Sequence, residues 1–337
     1  MKKIVKLSIA ALMATTVVAS AGTLDNVKKA GMLNCGVNTG LPGFSEVGAD
    51  RKWKGIDVDM CKAVAAAVLG DASKVKYVPL TSKERFAALQ SGEIDMLVRN
   101  TTWTNTRDAS LGLNFAGVNY YDGQGFLVAK SLGIKNASEL DGATFCLMSG
   151  TTTELNLANY FKSNNMQYKS VIFDTPDQEQ KAFAAGRCDV VTSDQSSLAA
   201  TKSKMADPSK FELLPDVISK EPLGPVVRQG DDVWFNIVRW SLNALITAEE
   251  FGVTQGNVDD QLKNSKVPEV HNLLGKTGTL GKNLGLKADW SYQIIKQVGN
   301  YGESFEKHVG PKTPLQLQRG LNALWKDGGI LYSPPFR

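Results

Sequence analysis

Ala88-Leu89-Gln90-Ser91-Gly92-Glu93-Ile94-Asp95 and, further along, Ala182-Phe183-Ala184-Ala185-Gly186-Arg187-Cys188-Asp189 share one pattern: a helix end, a glycine stop and the opening of an apolar strand. Recurrence of this unit predicts two similar lobes. Around the first copy, apolar runs alternate with helical segments: strand 32–37, helix 57–69 closed by Gly70, strand 75–79, helix 82–91 and strand 94–98. This βαβαβ order predicts a mostly parallel, doubly wound α/β sheet. Thr81-Ser82-Lys83-Glu84 matches a capping box at the start of the second helix, and Gly92 marks its stop. Around the second copy the theme returns, with strands 125–129, 143–148, 169–173 and 188–192 and helices 152–162 and 177–185.

Two glycine-containing crossings separate these sets, Phe115 to Gly125 and Ser219 to Pro225. If the chain returns at the second, residues 120–221 form a second lobe inserted into the first. Residues 22–119 then open lobe one, and residues 222–337 return to it and add a C-terminal helical extension. The two crossings make a two-strand hinge. Asp231 to Phe251 reads as a long helix, with Val233, Ile237, Leu242 and Ile246 among its apolar positions.

The N-terminus sets the compartment. A basic start through Lys6, an apolar stretch from Leu7 to Val18 and the small-x-small site Ala19-Ser20-Ala21 read as a secretory signal peptide cleaved after Ala21. No later stretch is long and apolar enough to span a bilayer, so the expected location is a bacterial periplasm. Cleavage removes three lysines and no acid, lowering the formal charge from +4 to about +1. So even a balance argues against nucleic acid as a partner. In an oxidising space four cysteines predict two disulfides. Of the three possible pairings, Cys35 at a strand end with Cys61 in the helix after it is the geometrically natural one, which leaves Cys146 and Cys188, in strand-like runs of the later region, as the second pair. Four buried free thiols are the alternative. With no CxxC and with His271 and His308 remote in sequence from every cysteine, no metal site is expected.

Open α/β sheets place ligands beyond the carboxyl ends of their strands. After strand 94–98 comes Arg99-Asn100-Thr101-Thr102-Trp103-Thr104-Asn105-Thr106-Arg107, a hydroxyl-rich turn ending in a guanidinium that can clamp a small acid. The plain alternative is a polar loop with a solvated arginine. In lobe two, Ser149-Gly150-Thr151-Thr152-Thr153-Glu154 opens a helix with three threonine donors, and Asp194 ends a later strand. Arg107, the threonines and Asp194 together complement a zwitterion; Asp194 as an ordinary helix cap is the alternative.

At these residues the sequence resembles the periplasmic solute-binding proteins of polar amino acid ABC transporters (family 3), most closely the general L-amino-acid binding subgroup. The matching stretches are Cys35 to Ser45, Asn100 to Thr104, Leu111 to Phe115 and Ser149 to Leu155. The resemblance implies a two-lobed type II periplasmic-binding-protein-like fold, with no cofactor, no catalytic residue, an inner-membrane ABC permease as partner and a monomeric state. It implies that Arg107 binds the ligand α-carboxylate with Thr102 and Thr152, that Asp194 takes the α-ammonium, and that Asn100 contributes its backbone carbonyl. Relatives carry aromatic pocket walls at the positions of Leu41 and Ser82; their absence here favours a broad range of L-amino acids, with Phe44 and Trp103 as candidate replacement walls. Two other classes remain as alternatives. An exported cyclohexadienyl- or arogenate-type dehydratase on the same fold needs a general acid near the clamp, for which only Glu154 offers itself. A sensory ectodomain needs a membrane span and a signalling region that the sequence does not show.

Overall fold

The computed structural model describes residues 22–337; the expected signal peptide lies outside the described residues. A short helix α1 (Thr23–Ala30) precedes β1 (Leu33–Asn38), the hairpin β2 (Glu46–Val47) and β3 (Trp53–Lys54), α2 (Ile56–Leu69), β4 (Val75–Leu80), α3 (Arg85–Ser91), β5 (Met96–Leu97), α4 (Asn105–Ser110) and β6 (Leu113–Phe115). The chain then crosses through β7 (Tyr120–Asp122) to β8 (Gln124–Ala129), β9 (Thr144–Met148), α5 (Thr152–Ser163), β10 (Lys169–Phe173), α6 (Pro176–Ala184), β11 (Val190–Asp194), α7 (Gln195–Ser203) and β12 (Phe211–Leu213). It returns through β13 (Glu221–Leu223) to β14 (Val226–Arg228), α8 (Asp232–Glu250), α9 (Val258–Asn264), α10 (Pro268–Leu273), α11 (Leu280–Asn283), α12 (Trp290–Val298) and α13 (Tyr301–His308).

One sheet runs in the order β4-β1-β5-β14-β6 and the other β10-β9-β11-β8-β12. Each has three parallel strands followed by a reversed one, β14 in the first and β8 in the second. Each reversed strand directly follows a crossing, so the two sheets exchange strands through the hinge. There β7 and β13 pair antiparallel, with Tyr121 opposite Pro222.

The sequence repeat returns as a repeated turn. Gly92 (φ 81°) and Gly186 (φ 70°) adopt the left-handed turn that favours glycine. Behind them Glu93 N–H donates to Ala88 C=O at 3.1 Å, as Arg187 N–H donates to Ala182 C=O at 3.0 Å. Asp95 and Asp189 then each accept a strand N–H on Oδ2, from Asn34 and Thr144, both at 2.8 Å.

Some boundaries differ from the sequence reading. Thr81 and Glu84 make the reciprocal capping-box bonds, Glu84 N–H to Thr81 Oγ1 at 3.4 Å and Thr81 N–H to Glu84 Oε2 at 3.0 Å. These bonds close a turn, and the helix itself begins only at Arg85. In α8, Ile237, Leu242 and Ile246 are buried, but Val233 is 53% exposed because the first turn carries it to the outer side.

The first lobe's core is the larger. Helices α2, α8 and α12 pack on one another beside the sheet, and Trp234, Trp290 and Phe305 are almost fully buried there. Disulfides join Cys35 in β1 to Cys61 in α2 and Cys146 in β9 to Cys188 just before β11, with Cα atoms 6.2 and 5.6 Å apart. The C-terminal extension grips the hinge. Tyr301 Oη donates to Asn119 C=O at 2.9 Å, and the Asn322 carboxamide bonds both the N–H and the C=O of Tyr121. Among the described residues no helix is long and apolar enough to cross a membrane.

Candidate ligand-binding cleft

Parallel strands of both sheets aim their carboxyl ends at one cavity, as open α/β sheets do. From lobe one it receives Asn38 and Leu41 after β1, Ser82 and Arg85 after β4, and Arg99, Asn100, Thr102 and Arg107 after β5. From lobe two it receives Met148 and Thr151 to Thr153 around the end of β9, Pro176 and Glu179 after β10, and Ser193, Asp194 and Ser197 at or just after β11. The space between them is about 50 Å³, on the order of a few waters. Lobe-to-lobe bonds surround it: Arg85 Nη2 donates to Gly150 C=O at 3.3 Å, and Lys83 Nζ pairs with Asp174 Oδ1 at 2.8 Å.

Asn100, Thr102, Arg107, Thr152 and Asp194, the five residues singled out from sequence as ligand-binding, all line this cavity, as do Leu41 and Ser82. Phe44 and Trp103, the candidate replacement walls, are not among its lining residues. Phe44 is fully buried edge-on against Tyr120, and Trp103 is partly exposed and stacked on Phe115. Both rings serve packing.

The dominant electrostatic feature is three buried guanidiniums whose hydrogen bonds go to neutral oxygens. Arg107 Nη1 donates to Thr102 C=O at 2.9 Å, Arg99 Nε to Leu80 C=O at 3.0 Å, and Arg85 Nη1 to Thr101 Oγ1 at 3.3 Å. Arg85 and Arg107 also lie over the ring of Phe86, at 4.8 and 5.2 Å from its centroid. Burial, then the neighbouring Arg99 and Arg107, holds Arg85 well below the ordinary arginine range. Burial, with Arg107 beside it, lowers Arg99 to about 10. A positive potential that its own charged form resists is one that a bound anion relieves. The threonine-rich N-terminus of α5 adds first-turn N–H donors on the opposite wall.

Facing the arginines is Asp194. It occupies the N-cap position of α7 yet makes no side-chain capping bond, so the capping role weighed against it is not the one its carboxylate performs. Burial, then the Asp122 and Glu221 carboxylates, pushes it well above the usual aspartate range, with Asn100 and Arg85 pulling the other way. Asn100 is the bridge between the walls. In a left-handed conformation (φ 29°), it donates its N–H to Asp57 Oδ2 at 3.1 Å, accepts from Asn38 Nδ2 at 3.0 Å and hydrogen-bonds Asp194 through its side chain.

Thr102 and Thr152 carry a finding that spacing did not suggest. Both hydroxyls donate to Oε2 of Glu221 on the hinge strand β13, at 2.5 and 2.9 Å, while Asn156 and Ser219 donate to its Oε1 at 2.7 and 2.6 Å. Sequence reasoning also passed over Arg85 and Glu179. Glu179 is 4% exposed, and burial pushes its carboxyl up to about 8. Glu154, the residue a dehydratase would need, is exposed and outside the cavity lining.

Two α/β lobes on a two-strand hinge, with a polar cavity between their strand ends, define a protein that closes around a small solute. The chain belongs to the bacterial extracellular solute-binding proteins, family 3, whose model matches residues 33–255. It is 58% identical to the general L-amino acid-binding periplasmic protein AapJ of Rhizobium johnstonii, covering 95% of this chain and 94% of that protein. It is 54% identical to the glutamate/glutamine/aspartate/asparagine-binding protein BztA of Rhodobacter capsulatus, with the same coverage of 95% and 94%. Among solved structures it matches an ABC transporter periplasmic binding protein from Brucella ovis with glutathione bound, with a TM-score of 0.92 and 52% identity, covering 94% of this chain and all of that one. These relatives are binding proteins.

Proposed function

We propose that the cavity closes on one free L-amino acid, held as a zwitterion, and that the closed protein delivers it to an ABC permease in the inner membrane. The observation that carries this reading is the opposition of three buried guanidiniums bonded to neutral oxygens and a buried Asp194 that caps nothing. Arg107 takes the α-carboxylate and Asp194 the α-ammonium, with Asn100 positioning Asp194 across the cleft. Thr102 and Thr152 act through the hinge carboxylate Glu221, on which their hydroxyls are spent. Leu41 and Ser82 leave the side-chain end without an aromatic wall, which suits a broad range; the names of AapJ and BztA support L-amino acids with polar side chains among the ligands.

The lobes of this reading are residues 22–119 with 222–337, and 120–221. Export with cleavage after Ala21 places a monomer in the periplasm, and its work is binding without catalysis, since the cavity offers Glu154 to no substrate. A thermal-shift screen of the twenty L-amino acids, repeated with N-acetylated forms, tests the reading. Free amino acids at a hundredfold excess over Kd should stabilise the fold by about 2.7 kcal/mol, and N-acetylated ones should not. Equal stabilisation by L-alanine and N-acetyl-L-alanine would overturn the zwitterion site.

A further inference from the structure

The backbone end of the ligand accounts for Arg107 and Asp194 but leaves part of the cavity unexplained. Four of its lining residues carry a buried side-chain polar atom with no hydrogen-bond partner: Glu179 Oε1 and Ser197 Oγ from lobe two, Ser82 Oγ and Arg85 Nε from lobe one. Among the described residues only Gln124 Oε1 and Ser196 Oγ share that condition elsewhere, so unmet bonding capacity is concentrated here. Buried polar atoms are normally paired, and a cluster of unpaired ones around a cavity marks where a ligand supplies the partners.

We infer that the Glu179 carboxyl, with the Ser82 and Ser197 hydroxyls, reads a polar side-chain terminus on the bound amino acid and so selects carboxylate and carboxamide side chains over apolar ones. This rests on the amino-acid reading of the same cavity. Glu179 lies in the first turns of α6, whose cap is already made by Thr175 Oγ1 accepting from Gln178 N–H, so its carboxyl is not needed there. With its ionisation pushed up to about 8 by burial, Glu179 at neutral pH is an acid whose O–H donates. A ligand oxygen accepts from it, from the serines and from Arg85 Nε–H; an apolar side chain would leave all four unmet, and a cationic one would face the guanidiniums.

The charges around Glu179 are few. Across the cavity stand Arg85, Arg99 and Arg107, and β11 contributes Asp194. Strand β9 bears no charged residue, β10 carries only the exposed Lys169, and on α6 itself Asp177 and Lys181 are exposed and paired with each other at 2.8 Å. Nearby Asp174 is paired with Lys83.

Calorimetric titration of the full chain with L-glutamate, L-glutamine and L-alanine at pH 6.5 and 9.5 tests the inference, because the ratio to L-alanine cancels groups that read the backbone. The glutamate-to-alanine affinity ratio should fall at least tenfold at the higher pH, where ionised Glu179 repels a second carboxylate. The glutamine ratio should stay within threefold, since a carboxamide can donate to the ionised form. Glu179→Gln, nearly isosteric and permanently neutral, should flatten the glutamate ratio, and Glu179→Ala should lower both polar ratios at least tenfold at pH 6.5. If Glu179→Ala does not fold, the flattening in Glu179→Gln decides. Ratios unmoved by pH in the wild type, or unmoved in the folded variants, overturn the role of Glu179. Failure of all three amino acids to bind the wild type instead overturns the amino-acid reading itself.

Discussion

The backbone bond of Glu93 and the Asp95 carboxylate's bond to a strand N–H in the first lobe match those of Arg187 and Asp189 in the second within about 0.1 Å, yet the strands they open end in opposite chemistry. Beyond β5 the first lobe presents guanidiniums, whereas β11 in the second ends in a buried carboxylate. The frame that aims strand ends at the cleft is common to both lobes, and in the proposed reading the residues set on those ends divide a zwitterion between them. The lobes also differ in how they are held together. Lobe one buries a large cluster through α2, α8, α12 and the C-terminal extension beside a smaller one of 8 residues around α3, whereas lobe two has only two small clusters, of 10 and 8 buried residues. Cys146 and Cys188 are themselves members of the smaller one.

If recognition is divided in this way, the largest effect should follow from removing the cation. Arg107→Ala leaves a buried ligand carboxylate without its guanidinium, a loss of about 3–5 kcal/mol or roughly two to four decades in affinity for every amino acid. Calorimetry giving a Kd within threefold of wild type would take Arg107 out of the division. The difference in cores predicts the next effect. Each disulfide should contribute about 3–4 kcal/mol by loop-closure estimates, but Cys146→Ser with Cys188→Ser should lower Tm more than Cys35→Ser with Cys61→Ser. Differential scanning calorimetry finding the reverse would mean that the second lobe does not lean on its bridge.

Asp194 tests the anionic half. Its carboxyl is raised in the ligand-free protein by burial and by Asp122 and Glu221, so below that raised value it holds a proton that a ligand ammonium must displace. Binding should therefore release a proton, and affinity should rise by up to about tenfold per pH unit until Asp194 is ionised in the free protein. Calorimetry in buffers of different ionisation enthalpy reads that proton directly. Asp194→Asn should remove the linkage and weaken binding by about one to three decades with the fold intact, because no capping bond is lost. A proton count of zero in the wild type across mildly acidic pH would show that Asp194 does not meet the ammonium.

The frame was legible because glycine stops, strand runs and alternation are local signals. Arg107, Asp194, Thr102 and Thr152 stood out because each stands at or beyond a strand end, and strand ends are what the fold aims at the cleft. Arg85, Glu179 and Glu221 did not stand out, since a charged residue in a helix's first turns usually faces solvent or its dipole, and a glutamate in an extended crossing has no spacing to betray it. Phe44 and Trp103 show the converse limit. An aromatic beside a binding turn reads the same whether it walls a pocket or packs on Tyr120 or Phe115. Likewise Thr102 and Thr152 were placed at the cleft by their positions, but their bonds to Glu221 depend on a hinge strand more than 60 residues from either.

The smallest expected effect lies at the rim, where the lobes meet in water. Lys83 Nζ and Asp174 Oδ1 are 2.8 Å apart across the mouth, with Ser149 Oγ also donating to Asp174 at 2.8 Å. Both charged side chains are 59% exposed, so solvent screens the pair and holding two mobile side chains together costs entropy. Exposed pairs of this kind are worth about 0–1 kcal/mol, so Lys83→Ala should weaken binding no more than about fivefold. That small loss should shrink further in 1 M salt, where the screening length falls to about 3 Å. The loss should also be the same for L-glutamate and L-alanine, because the pair acts on closure and touches no ligand. An affinity drop of a hundredfold, or one that differed between the two amino acids, would place Lys83 inside the recognition site and move the boundary between the lobes' shared frame and their divided chemistry.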